Sequence, residues 1–248
     1  MRAQRFDTLD ALRGLAMVWM TAFHLCFDLS HAGLWPQDFY ADPVWTWQRV
    51  MIVSLFLFCA GFGQAVATAQ AQSWARFWKR WVQVAGCAAL VTLGSWWMFP
   101  KSFIYFGILH GMAVMLIVVR LTSHWGRWLW LAGALAIASK FIAADALSTW
   151  ASGQFVHAMN STALNWIGWI TQKPSTEDYV PVFPWLGVMW WGAAAGGWLM
   201  PRLGAHGLNP VPQVGRALAA LGRWSLSYYM LHQPVLIGLV TCLVWLKR

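Results

Sequence analysis

Long apolar runs, broken by short clusters of charge, set the plan of this chain. Seven of them approach the roughly 20 mostly apolar residues that a helix needs to cross the hydrocarbon core of a bilayer. They are Leu9 to Leu29, Val44 to Thr68, Trp81 to Met98, Phe103 to Leu121, Trp128 to Leu147, Val182 to Met200 and Ser225 to Leu246. Nearly uncharged runs of this length point to spanning helices and not to packed strands. The pattern therefore predicts an all-α integral membrane protein, a bundle of about seven transmembrane helices forming a single domain over 1–248. Residues 148–181 are too polar to span and predict a loop at the outer face, in which Phe155 to Ile170 predicts a helix lying in the headgroup layer. Trp45, Trp47, Trp96, Trp97 and Trp128 fall at run ends, where indole rings anchor at the membrane interface.

Composition agrees. Only 10% of the 248 residues are charged, against roughly 25% in soluble domains, so much of the surface faces lipid. The net charge of +9 does not indicate a nucleic-acid partner, because the Lys and Arg residues form no dense block. They sort by side instead. With alternating spans, Arg2, Arg5, Arg13, Arg76, Lys79, Arg80, Arg120, Arg127, Arg202, Arg216 and Arg223 share one face, and Lys101, Lys173, Lys247 and Arg248 the other. Positive loops stay cytoplasmic, which puts the N-terminus inside and the C-terminus outside. Asp28, Asp38, Asp42, Asp145, Glu177 and Asp178 then gather at the outer face, and Asp7 and Asp10 at the inner one. Asp7 and Asp10 interrupt the start of the first run and no small-residue cleavage site follows, so that run predicts an anchored helix and not a removed signal peptide. Cys26, Cys59, Cys87 and Cys242 lie inside the runs without metal-type spacing, so no metal site is expected.

Ionisable residues at membrane depth are costly and mark candidate sites. His24 and Asp28 are four apart and share a helix face, one turn apart, where a carboxylate can orient an imidazole as a general base. The plainer reading is a buried pair that only ties helices together. Arg13 lies eleven residues earlier, roughly 16 Å along the axis, a gap that an extended pantetheine arm can bridge. With Arg76, Lys79, Arg80, Arg120 and Arg127 it forms a basic inner mouth suited to the phosphates of a nucleotide-bearing acyl donor, although positive-inside topology alone explains most of that cluster. His110 is expected at a depth similar to His24, lining one cavity with it. Arg49 is expected to pair with Asp28 or Asp42. Asp178 and Tyr179 precede Pro181 and Pro184, which stiffen a helix entrance; Asp178 suits the acceptor side or an interfacial loop. His232, before Gln233 and Pro234, is expected to pack. His31, His124, His157 and His206 are expected in loops or interfaces and carry no assigned role.

The stretch from Arg5 to Ala16, followed by His24, resembles the first helix of the transmembrane acyltransferase superfamily. Within it the chain is similar to small bacterial proteins related to the catalytic domain of heparan-alpha-glucosaminide N-acetyltransferase. The similarity also rests on Phe56 to Gly61, Phe106 to His110, Asp178-Tyr179, Phe183 to Gly187 and Gly222 to Pro234. The resemblance implies transfer of an acetyl group from cytoplasmic acetyl-CoA to a sugar or other envelope acceptor at the outer face. The chain departs from the lysosomal enzyme, which carries Asn at the position of His24 and a catalytic His in the following luminal loop, where His31 is the nearest His here. The resemblance thus supports the reaction class more than it supports His24.

The reading that joins these points is an acetyl-CoA-dependent O- or N-acetyltransferase, with His24 and Asp28 catalytic. Arg13, Arg80 and Arg120 hold the donor, and His110, Asp178, Tyr179 and Arg49 line the acceptor side. Expected partners are acetyl-CoA, a glycoconjugate acceptor and membrane lipid, with a homo-oligomer left open. A proton-coupled transporter would use the same His and Asp residues as a relay, and a non-catalytic membrane subunit would use none of them.

Overall fold

The computed structural model of the chain describes residues 6–203 and 212–247; Arg2, Arg5, His206 and Arg248 lie outside them. Among the described residues run α1 (Asp7–His31), α2 (Pro43–Ala69), α3 (Trp74–Met98), α4 (Ile108–Thr122), α5 (Trp128–Thr149), α6 (Gly153–Asn160), α7 (Val182–Leu203), α8 (Gln213–Arg223) and α9 (Ser225–Leu246). No strand is present among them. Five helical stretches are long and apolar enough to cross a membrane: α1, α2, α4 with the turn that follows it, α5 and α9. The helices α3 and α7 have comparable length but stand outside that set, because Trp and Gly dilute the hydropathy of both.

Local chemistry explains where the helices depart from the apolar runs. The Ser73 side chain caps α3, accepting from the Arg76 N–H at 3.4 Å. The helix therefore starts at Trp74, before the expected Trp81, and takes Arg76, Lys79 and Arg80 into its first turns. Helix α4 starts at Ile108 and not at Phe103, because the preceding residues run alongside another segment. Glu177 N–H donates to Ser102 C=O (2.9 Å), and Val180 N–H to Phe106 C=O (3.1 Å), with a parallel bridge between Phe106 and Tyr179. The expected interfacial helix from Phe155 to Ile170 is shorter, Gly153–Asn160. Asn160 Oδ1 accepts from the Thr171 and Gln172 N–H groups at 3.0 and 3.1 Å and folds the chain back.

The chain divides into two compact units, Met1–Phe56 with Leu203–Arg248, and Leu57–Arg202. In the first, α8 lies directly on α1. A Cβ added to Gly14 would strike the Leu218 carbonyl, and one added to Gly222 would strike the Asp10 carbonyl. The two backbones touch because neither glycine has a side chain, the close approach that small residues permit between helices in lipid. Phe23, Phe39 and Trp45 pack where α1 meets the start of α2, Phe39 stacking on Trp45 at 4.2 Å. In the second unit Gly61 and Gly192 do for α2 and α7 what Gly14 and Gly222 do for α1 and α8. Trp81 Nε1 ties α3 to α4 by donating to the Ala113 carbonyl at 2.8 Å.

Candidate functional site

In the first unit the last two turns of α1 face α9, and three polar side chains form a chain between them. Gln233 Nε2 donates to both oxygens of Asp28, at 2.9 and 3.1 Å. A carboxylate only accepts hydrogen bonds, so the amide nitrogen of Gln233 faces Asp28 and its Oε1 faces His24. His24 Nδ1 lies 2.6 Å from that oxygen. The proton of the neutral ring therefore sits on Nδ1, and Nε2 carries the free lone pair. This is the arrangement of a general base whose tautomer is set by a hydrogen-bonded partner. The expected direct pairing of His24 with Asp28 is corrected in one respect: Gln233 stands between them and bonds to both. One turn towards the start of α1, Tyr228 donates to Thr21 Oγ1 at 2.7 Å, because Thr21 gives its own proton to the Met17 carbonyl at 2.8 Å.

The other expected residues of this unit fare differently. Arg13 makes an ion pair with Asp10, 3.0 Å away and one turn earlier, and keeps about a quarter of its side chain exposed. Arg49 has no hydrogen bond or ion pair with Asp28 or Asp42 among the described residues. Gln233 occupies Asp28, and Asp42 Oδ1 accepts from the Val44 N–H at 2.7 Å, capping the start of α2. His31 is the last residue of α1 and is exposed, so it is not a loop histidine.

In the second unit His110, Asp178 and Tyr179 are engaged in holding structure. His110 Nδ1 accepts from the Gly107 N–H at 3.3 Å. Its Nε2 lies 2.9 Å from Thr92 Oγ1, whose own proton goes to the Ile104 carbonyl at 2.8 Å. Both ring nitrogens are therefore occupied, which leaves no free base. Asp178 Oδ2 accepts from the Ile108 N–H at 2.8 Å, capping α4, and Gly107 is the residue whose missing Cβ admits that carboxylate. Tyr179 donates to the Asn165 carbonyl at 2.6 Å. Burial, with Tyr105 as a second cause, pushes its phenol far above the usual range, so it remains a neutral donor.

Arg120, expected to hold the donor, is buried. It donates to Thr68 Oγ1 at 3.3 Å and to the Gln72 carbonyl just past the end of α2, and its guanidinium lies over Trp74 and Phe77 at 5.2 and 5.8 Å. Carbonyls at helix C-termini attract cations, so Arg120 is spent on closing the α2–α3 turn. Arg80 is exposed on α3.

Sequence reasoning passed over Gln233 because a neutral amide beside Pro234 carries no charge signal. Its offset from His232 would have turned it towards a polar face only if the register of α9 against α1 were known.

Residues 5–234 match the family described as heparan-alpha-glucosaminide N-acetyltransferase, catalytic. No curated protein and no solved structure matches the chain.

Proposed function

Because the chain belongs to the heparan-alpha-glucosaminide N-acetyltransferase catalytic family, we propose that it moves an acetyl group from cytoplasmic acetyl-CoA to a sugar or other envelope acceptor at the outer face of a bacterial inner membrane. The family is one of transferases, and the five long apolar helices suit an enzyme embedded in the bilayer. In this reading α3 and α7 also span, giving seven crossings with the N-terminus inside.

The observation that carries the reading is the chain from Asp28 through Gln233 to His24, with its lone pair on Nε2. Asp28 holds the Gln233 amide in one orientation, and the amide holds the His24 proton on Nδ1. His24 Nε2 then removes the proton of an acceptor hydroxyl or amine as it attacks the thioester carbon. The imidazolium that forms is stabilised through the amide by the Asp28 charge. Arg13, eleven residues and roughly 16 Å before His24 on the same helix, meets a donor phosphate at the inner end while the thioester reaches the imidazole.

Purified protein in lipid discs, given labelled acetyl-CoA and a panel of amino sugars and hydroxylated envelope lipids, should release free CoA with label on one acceptor. A transporter or a non-catalytic subunit would leave the thioester intact, and that result would remove the reading.

A further inference from the structure

Beside His24 in the first unit lies a second histidine that this reaction scheme does not use. His232, on α9, is 7% exposed, and its Nδ1 donates to the Tyr229 carbonyl at 2.7 Å. Its Nε2 is buried with no hydrogen-bond partner. The ring lies nearly parallel to that of Tyr228 with centroids 6.1 Å apart, and meets His24 edge to face with centroids 5.2 Å apart. The two imidazoles are in ring contact, although no hydrogen bond joins them as they stand. Packing accounts for the ring but not for the nitrogen, because an apolar ring would fill the same space without leaving a buried lone pair unmatched. The lone pair has a use only if a proton arrives beside it, and His24 is the neighbour that acquires one.

We propose that His232 is the second proton acceptor of the site, a proposal that rests on His24 acting as the base of an acyl transfer. The attacking O–H or N–H gives its proton to His24 Nε2 as its lone pair bonds to the thioester carbon. The C–S bond breaks and its electron pair leaves on sulfur. The proton passes from His24 Nε2 to His232 Nε2 and then to the thiolate, so that CoA leaves as the thiol and both rings return neutral. The Tyr229 carbonyl and the Tyr228 ring fix the ring so that Nε2, and not Nδ1, takes part.

The test uses the full chain in lipid discs with acetyl-CoA and the same acceptor panel. His232→Ala should bind acetyl-CoA as the wild type does but release CoA about 10²-fold more slowly, the lower end of what positioned acid–base groups contribute. Added imidazole should restore the rate, whereas pyrazole, of the same shape but far less basic, should not. Equal rescue by the two would make His232 a space filler and overturn the proposal. His232→Gln keeps a polar group in place of the ring and guards against a misfolded alanine variant; wild-type turnover in it would also overturn the proposal. If His24→Ala is inactive while the His232 variants are not, the relay fails and the base stands. If the wild type releases no CoA, both fail.

Discussion

Gln233 straddles the carboxylate of Asp28, its amide nitrogen 2.9 Å from one oxygen and 3.1 Å from the other. The contact converts a buried charge on α1 into a fixed orientation of a side chain on α9. Gln233→Met keeps the volume but leaves the carboxylate unmatched, and should lower stability by about 1–3 kcal/mol as read by thermal unfolding in detergent. It should also slow acetyl transfer by about 10². In a His24→Ala background the same substitution should cost little further turnover, because the amide acts only through that ring; full additivity in the double-mutant cycle would separate the two residues.

Three histidines offer themselves as the base, and their surroundings divide them. His24→Ala should lower turnover by about 10² to 10⁴ with donor binding intact. His110→Ala should keep turnover and lose about 1 kcal/mol of stability, since it removes contacts at the start of α4. His31→Ala, at an exposed helix end stacked on Phe27, should change neither. Steady-state transfer and unfolding measured on the three proteins together decide the assignment, and an active His24→Ala enzyme would overturn it.

Arg13 and Arg120 carry the same charge but sit in different environments, one partly exposed beside Asp10 and the other buried. Arg13→Ala should weaken acetyl-CoA binding by roughly 1.5 to 3 kcal/mol, the worth of a charge-assisted hydrogen bond. Arg120→Ala should leave that affinity alone and lower the unfolding temperature, because its donors serve Thr68 and the Gln72 carbonyl. Calorimetric titration of the two variants with acetyl-CoA separates the roles.

The apolar runs revealed most of the helices, since a span needs nothing from its neighbours to be recognised. They did not reveal α8, an 11-residue amphipathic helix too short and too polar to read as a span. The patches behind the family resemblance proved to have physical reasons that a single sequence hides. Gly14, next to Arg13, is where Leu218 touches the α1 backbone, and Gly107 makes room for Asp178. Within the candidate site, the shared helix face of His24 and Asp28 was legible from their spacing because both sit on α1. Gln233 was not, because it meets them across 205 to 209 residues of sequence, a distance at which only tertiary register brings groups together.

The α1–α8 contact should be intolerant of a single methyl. Gly14→Ala, at a buried position with the Leu218 carbonyl in its path, should cost about 1–3 kcal/mol through backbone displacement. Ala substitution at Gly86, where a Cβ meets nothing within 4 Å, should cost no stability. Thermal unfolding of the two variants compares them directly.

Orientation is testable from the surface. In a background free of native cysteines, Asp38→Cys and Lys173→Cys should react with an impermeant maleimide added outside the cell, and Lys79→Cys should react only after lysis, since basic flanks stay cytoplasmic. All three positions are exposed, so reactivity reports the side. The reverse pattern would invert the topology and the donor end with it.

The first unit is assembled from both ends of the sequence, and this gives the protein a timetable. His24 enters the membrane with the first helix, yet the amide that sets its tautomer is 209 residues further on. At about 5–20 residues per second, ribosomal synthesis needs roughly 10 to 40 s to deliver it. Until then α1 holds an unmatched imidazole and carboxylate in lipid, and the backbone groove at Gly14 lies open. The nascent chain therefore cannot carry out the chemistry proposed here while it is being made.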